Sequence, residues 1–244
     1  MKTGNPRKAL PLPTSRAPAT KDETPGDFRT RSAARKRERM RARLLAATME
    51  VCSRDGGPAA VIEDVLRQAG ASRASFYAHF KTFEEAISHL GRDLADETVR
   101  GLAIMYQSIE DRLLRTAAGP QLILARAAIE PNWGRVVARS EDFSSRSALV
   151  KAMRVNIDGG RKLGAFHFTN LEAAVDLHLA ATQHGARRVA EKKRGRMAYA
   201  RDMSQMLLEA LGAPSSEAQA AADWALDDLR RRAPQYLPWW REFS

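Results

Sequence analysis

Apolar residues recur along most of the chain at the 3.6-residue period of amphipathic α-helices, and no stretch shows the alternating pattern of a half-buried strand. The pattern predicts helices at 32–55, 62–69, 73–79, 82–112, 111–130, 133–138, 143–162, 171–189, 196–212 and 218–232. Gly119 and Pro120 are predicted to kink or break the fifth of these. We therefore expect an all-α fold without repeats.

The stretch 61–81 predicts two short helices joined by a tight turn. The apolar face of the first is Ile62, Val65, Leu66 and Ala69, at the spacing of one buried helical face. Gly70 follows directly and can end that helix in a left-handed conformation. Ser72 can cap the second helix, which buries Phe76 and Phe80. Helix, glycine turn and helix together indicate a helix-turn-helix, whose second helix enters the major groove of DNA.

Small and polar residues make up the exposed face predicted for the second helix. The candidates for contact with base edges are Arg73, Ala74, Ser75 and Ala78. The candidates for contact with phosphates are Tyr77, Lys81, His79, Arg41 and Arg43. For His79, packing is an open alternative. The alternative for the whole stretch is an ordinary helical hairpin, but the glycine, the serine cap and the aromatic residues all lie at the offsets that a DNA reader requires.

The same stretch resembles the DNA-binding domain of the TetR family of bacterial transcriptional regulators. The matching residues are Ala69-Gly70-Ala71-Ser72, Phe76-Tyr77, Phe80-Lys81, Glu84-Glu85 and, upstream, the run from Arg43 to Gly56. The resemblance implies a ligand-responsive repressor that binds a palindromic operator in double-stranded DNA as a homodimer. It also implies that the larger C-terminal part binds a small-molecule effector, and that helices at about 171–190 and 196–212 pair with their mates in the dimer.

Several positions depart from the family pattern. Cys52 replaces a large aromatic residue, Ala60 and Val61 replace threonines that commonly cap the second helix, and Leu66 and Phe83 are also unusual. The missing threonine caps and the Cys52 substitution support an alternative function, an all-α small-molecule-binding or scaffold protein whose helix-turn-helix no longer reads DNA. Preference for operator over random DNA would separate the two.

Positive charge is concentrated near the N-terminus. The formal net charge is +11, and residues 1–60 hold 14 Lys and Arg residues against 6 Asp and Glu residues. Such a basic end is typical of a protein that binds nucleic acid, with an anionic membrane surface as the second candidate. Residues 1–30 contain five prolines and are expected to form a disordered basic arm.

No motif for catalysis is visible in the sequence. The five histidines show no metal-ligand spacing, and no nucleophile motif, Walker loop or dinucleotide-binding glycine pattern occurs. We therefore expect no enzyme, no metal and no cofactor. The single cysteine, Cys52, excludes an internal disulfide, and no apolar run approaches the roughly 18 residues of a membrane span. These features favour a cytoplasmic protein without membrane contact.

The predicted organisation has four parts. They are an arm at 1–30, the helix-turn-helix domain at 31–81, a helical ligand-binding and dimerisation domain at 82–232, and an aromatic tail at 233–244 that folds back on the body. The predicted effector pocket is lined by Met105, Tyr106, Trp133, Met153, Phe166 and His178. Each of these residues could instead belong to the hydrophobic core.

Overall fold

The computed structural model describes residues 25–54, 62–138 and 148–242. These residues form ten α-helices and no strand, which confirms the all-α prediction. The helices are α1 (Pro25–Cys52), α2 (Ile62–Ala69), α3 (Arg73–Tyr77), α4 (Phe83–Tyr106), α5 (Arg112–Ile129), α6 (Pro131–Val137), α7 (Ala148–Lys162), α8 (Leu171–Glu191), α9 (Arg196–Ala210) and α10 (Ser215–Tyr236).

Residues 1–39 form one unit and residues 40–244 another. In the first unit the described residues are the beginning of α1, and its side chains from Thr30 to Arg39 are exposed. Because α1 begins at Pro25, the prediction of a disordered arm reaching residue 30 was wrong for its last six residues. Residues 1–24 lie outside the described part, as do the departures Ala60 and Val61.

In the second unit, α5 is the central helix. Every residue from Thr116 to Ala128 is buried, and α5 contacts each of α4, α6, α7, α8, α9 and α10. The predicted break at Gly119-Pro120 does not occur, since one continuous helix includes Pro120. Neighbouring helices on all sides can hold such a helix together although the proline removes one of its backbone hydrogen bonds.

One hydrophobic core joins the helix-turn-helix to the body. It includes Leu44, Phe76 and Phe80 at one end, Leu90 and Leu124 farther along, and Trp239 of the C-terminal segment. The aromatic segment therefore folds back on the body, as predicted. Its predicted boundary was wrong, because α10 continues through Pro234 to Tyr236 instead of ending at Arg232. None of the described helices combines the length and the apolar character needed to cross a membrane.

Candidate nucleic-acid interface and internal cavity

The turn before α3 is a Schellman motif built around Gly70. Its φ angle is +55°, the left-handed conformation that glycine adopts without strain. The Gly70 amide donates to the carbonyl of Arg67 at 3.3 Å, and the Ala71 amide donates to the carbonyl of Leu66 at 3.0 Å. This is the hydrogen-bond pattern that closes a helix C-terminus. The glycine therefore fixes where α2 ends and where α3 can begin.

Ser72 caps α3 as predicted. Its hydroxyl oxygen accepts from the backbone amide of Ser75 at 3.1 Å and lies 3.3 Å from the Ser75 hydroxyl. Phe76 and Phe80 are buried with ring centroids 5.5 Å apart, so they anchor one side of the element in the core. The regular helix ends at Tyr77 rather than His79, and a turn continues the segment to His79.

The opposite side of α3 faces solvent. The Arg73 side chain is 68% exposed and Tyr77 is 54% exposed, while Ala74 and Ala78 are exposed and Ser75 is partly buried. The Arg73 guanidinium pairs with the carboxylate of Glu63 on α2. The four predicted base-contact residues thus lie together on a short, accessible segment that carries one cation and two methyl groups.

The predicted phosphate contacts have different surroundings. Lys81 is exposed just before α4, and its backbone amide donates to the carboxylate of Glu85. Arg43 is exposed and donates to the carbonyl of Gly70 at 3.4 Å, beside the turn that precedes α3. Arg41 binds Asp93 on α4 at 3.2 Å, and the half-buried His79 lies with its ring centroid 6.3 Å from that of Phe80. Arg41 therefore ties α1 to α4, and His79 contributes to packing.

A single helix leads from this surface to the interior of the body. Thr82 caps α4 by accepting from the amide of Glu85 at 3.1 Å, so α4 begins shortly after α3 and the turn that follows it. Its 24 residues span roughly 36 Å at 1.5 Å per residue. Leu102 and Tyr106, in its last turns, line an internal cavity. Arg232 of α10 holds this end by donating to the carbonyl of Met105 at 2.6 Å.

The cavity lies between α4, α5, α7 and α8 and has a volume of about 30 Å³. Its lining is Leu102, Tyr106, Thr116, Gly119, Pro120, Ile123, Leu149, Ala152, Met153, Asn156, Ile157, His178 and Thr182. Three of the six predicted pocket residues, Tyr106, Met153 and His178, belong to it. The other three, Met105, Trp133 and Phe166, do not line it and are buried in the core instead.

Trp133 and Phe166 have structural partners that the sequence did not reveal. The ring of Trp133 lies 4.7 Å from the Arg126 guanidinium. Phe166 packs so closely on Gly160 that a Cβ atom there would lie 2.3 Å from its ring. Phe166 therefore fills core space, whereas Trp133 also lines a second, more open pocket together with Glu130 and Arg135.

The polar groups of the cavity wall are uncharged. Burial lowers the pKa of His178 to about 4, and its Nδ1 has no hydrogen-bond partner among the described residues. Burial also raises the pKa of Tyr106, whose hydroxyl bonds to the side chain of Asn156. Asn156 in turn accepts from Arg112 at 2.8 Å. Near neutral pH the wall therefore presents a neutral imidazole, a phenol and an amide.

Several lining residues could not be identified from the sequence. Thr116 lies on α5, where every residue from Thr116 to Ala128 is buried, and Asn156 and Thr182 are polar residues on helices that also carry exposed polar positions. Only Gly119-Pro120 could have pointed to the cavity from the sequence. A proline inside a helix cannot donate to the carbonyl four residues earlier, here that of Thr116. The sequence predicted a kink or break in the helix at this pair and not part of a site.

The outer surfaces of α8 and α9 carry exposed apolar side chains. Leu177 on α8 is 51% exposed and Met206 on α9 is 64% exposed. Four exposed alanines lie on the same two helices, Ala173, Ala180, Ala198 and Ala210. Small residues beside large apolar ones allow two helices to approach closely, so this surface has the composition of a helix-packing interface.

Comparison with solved structures identifies the fold. RolR in complex with the ligand resorcinol is 18% identical over 78% of this chain and 95% of its own, with a TM-score of 0.56. A TetR-like transcriptional regulator from Rhodococcus sp. RHA1 is 16% identical over 72% of this chain and 97% of its own, with a TM-score of 0.56. An ArpA-like gamma-butyrolactone receptor is 14% identical over 79% and 98%, with a TM-score of 0.56. The fold is that of TetR-type regulators.

Comparisons with protein-family models and with curated proteins give no match. The resemblance noted in the helix-turn-helix stretch agrees with the likeness of the whole fold, although overall sequence identity to these structures is low.

Proposed function

We propose that this protein is a sequence-specific transcriptional regulator, a ligand-responsive repressor that binds a palindromic operator as a homodimer. The observation that carries the proposal is the exposed side of α3, held in place by buried Phe76 and Phe80 within a fold shared with transcriptional regulators. A buried α3 would have been incompatible with reading DNA.

In the proposed complex α3 enters the major groove. Arg73 and Ser75 contact base edges, and Ala74 and Ala78 allow close approach and contact with thymine methyl groups. Tyr77, Lys81 and Arg43 bind phosphates on either side of the reader. The pairing of Arg41 with Asp93 makes it a weaker candidate than Arg43, because a phosphate would have to compete with that carboxylate.

Dimerisation is proposed through the apolar surface of α8 and α9. Helix-turn-helix dimers read half-sites about 34 Å apart, or multiples of that distance, so the interface sets the spacing of the two readers. Leu177 and Met206 would be buried near the two-fold axis of the proposed dimer. Leu177→Asp should shift the protein from dimer to monomer in analytical ultracentrifugation. Leu163→Asp is the control, since Leu163 is 77% exposed and lies outside α8 and α9.

The proposed effector site is the cavity, and α4 is the proposed connection to DNA. A ligand can release DNA only if it binds more tightly to a state whose readers are wrongly spaced. Leu102 and Tyr106 in the cavity wall lie in the last turns of α4, and Thr82 caps its first turn, so this one helix connects the cavity with the segment that follows α3. RolR, which has a resorcinol-bound structure, supports a small-molecule effector for this fold.

The test is an anisotropy titration on the DNA upstream of the protein's own gene. Arg73→Ala should cost roughly 1–3 kcal/mol at the operator and relax sequence preference. Lys81→Ala and Tyr77→Phe should weaken binding to all sequences alike, and Lys81→Ala should reduce the salt slope by about one. Arg230→Ala is the charge-matched control, because Arg230 is exposed on α10.

Two results would contradict the proposal. One is equal affinity of the wild-type protein for operator and random DNA, which would favour a small-molecule binder that no longer reads DNA. The other is binding that all three reader variants leave unchanged, which would show that α3 is not the contact surface.

A further inference from the structure

We propose that the cavity takes a small, uncharged ligand that carries a hydroxyl group and donates its hydrogen bond to the wall formed by α5 and α8. This inference rests on the proposed function, because it names the class of effector for the same cavity. It is carried by the chemistry of the wall, and in particular by His178, Thr116 and Pro120.

The imidazole of His178 is the first argument. The residue is 2% exposed and lines the cavity, and its Nδ1 has no partner among the described residues. A buried polar group without a hydrogen bond is costly, so a ligand that supplies one gains affinity. A neutral imidazole offers one acceptor and one donor, which suits a hydroxyl group better than a carbonyl or an ether.

The second argument is the carbonyl of Thr116. Pro120 has no amide hydrogen, so this carbonyl lacks its normal donor within α5. Thr116, Gly119 and Pro120 all line the cavity. The Thr116 hydroxyl does not replace the missing donor, since it bonds to the carbonyl of Arg112 at 2.8 Å. The wall therefore combines an imidazole nitrogen that can accept a hydrogen bond with a residue whose backbone carbonyl lacks its usual amide donor, and a hydroxyl group on the ligand suits both.

The third argument concerns charge. No Asp, Glu, Lys or Arg is among the lining residues. Arg112 lies behind the wall, where its guanidinium is engaged by Asn156 and packs beside Gly159. Burial of an ionised ligand against such a wall would cost far more than one hydrogen bond returns. The lining therefore favours a neutral ligand over carboxylates, phosphates and amines.

The size of the cavity adds a condition. About 30 Å³ is room for water, whereas a benzene-sized ligand needs about 150 Å³. A ring-shaped ligand must therefore displace part of the wall. Met153 is the natural candidate, because an unbranched thioether side chain repacks easily. Such expansion gives the ligand different affinities for two states of the protein, as regulation requires.

Calorimetric titration of the full-length protein, without DNA, tests this with three ring compounds of similar size. Phenol is neutral and donates a hydrogen bond, anisole is neutral and cannot donate, and benzoate is an anion. Phenol should bind about tenfold more tightly than anisole, the value of one hydrogen bond to a buried acceptor. Benzoate should not bind. Phenol and anisole binding equally, or benzoate binding best, would overturn the inference.

Two variants and one parallel measurement complete the experiment. His178→Phe should reduce the preference of phenol over anisole, whereas His167→Gln, at an exposed position, should keep it. If His178→Phe does not fold, the three compounds on the wild-type protein still decide the question. Operator binding is measured on the same preparation: operator binding without phenol binding contradicts only this inference, and phenol binding without operator preference contradicts only the proposed function.

Discussion

Arg73 and Arg126 each pair with glutamate, but in very different surroundings. The Arg73 side chain on the reader is 68% exposed, and that of its partner Glu63 is 49% exposed. The Arg126 side chain in the body is 7% exposed and binds Glu97 at 2.9 Å and Glu130 at 3.0 Å. Its guanidinium also lies between two tryptophan rings, 4.7 Å from Trp133 and 5.4 Å from Trp239. The pair on α3 is thus open to solvent, while the buried cation of the body joins α4, α5, α6 and the C-terminal segment.

The first prediction tests the structural side of this comparison. Arg126→Met should lower the free energy of unfolding by about 3–4 kcal/mol, because it removes two ion pairs and two contacts with aromatic rings. The value lies at the low end for buried pairs, since both glutamates are partly exposed and can be solvated. Arg73→Met should change it by less than about 0.5 kcal/mol. Urea denaturation at fixed protein concentration measures the free energy of unfolding of both variants. Similar losses in the two variants would contradict the difference between the buried and the exposed arginine.

The second prediction concerns the buried imidazole of the body. Burial lowers the pKa of His178 from 6.5 to about 4. Between these values the unfolded chain binds a proton that the folded chain does not, so stability falls as the pH decreases from about 6.5 to about 4. The total is roughly 3 kcal/mol at 1.36 kcal/mol per pKa unit. His178→Phe should remove this part of the acid sensitivity.

Denaturation midpoints at pH 7.5, 6, 5 and 4.5 would measure the acid sensitivity due to His178 as the difference between the wild type and His178→Phe. His167→Gln is the control, because this histidine is exposed and does not line the cavity. Hydrogen bonds lower the pKa of four carboxyl groups, those of Asp158, Glu172, Glu209 and Asp223. Their contribution to stability is lost at lower pH. It is the same in wild type and variant, so it cancels in the difference between them. If His178→Phe stays as acid-sensitive as the wild type, the imidazole of His178 is hydrated in the folded protein and burial does not lower its pKa.

The two regions also differ in how far the sequence predicted them. The turn at Gly70, the cap at Ser72 and the buried Phe76 and Phe80 followed from local spacing alone, because each depends on residues within one or two helical turns. The cavity depends on side chains from four helices that are far apart in the chain. Tyr106, Met153 and His178 were predicted, but their neighbours Thr116, Asn156 and Thr182 were not. Periodicity identifies a buried face, but it does not reveal which buried positions border an empty space.

The third prediction compares one glycine from each region. Gly70 and Gly164 both have positive φ, +55° and +78°, and a Cβ atom at either would meet nothing within 4 Å. Each alanine variant should therefore lose roughly 1–2 kcal/mol from backbone strain alone. Only Gly70→Ala should also weaken operator binding, because Gly70 sets the start of α3. Equal operator affinity for the two variants would show that the turn does not position the reader.

The fourth prediction has the smallest effect on stability and concerns the pair of Arg73 with Glu63. Exposed ion pairs contribute about 0–1 kcal/mol, so Glu63→Gln should unfold almost as the wild type does. The effect of Glu63→Gln should appear instead in the affinity and the sequence discrimination of DNA binding. Removal of a negative charge beside the phosphates should raise affinity for all sequences, whereas release of Arg73 should reduce discrimination against a substituted operator a few-fold.

Asp64→Asn is the matched control for this effect. Asp64 lies next to Glu63 on α2 and pairs with Arg67 at 3.1 Å, so its substitution removes the same charge without touching Arg73. We expect Asp64→Asn to raise affinity without loss of discrimination. Equal discrimination in both variants would mean that Glu63 acts on DNA only through its charge. Loss of discrimination in Glu63→Gln alone would mean that Glu63 orients the Arg73 side chain on DNA, although the pair is too weak to stabilise the fold. A free energy that is negligible for folding can still decide the rotamer of one exposed arginine.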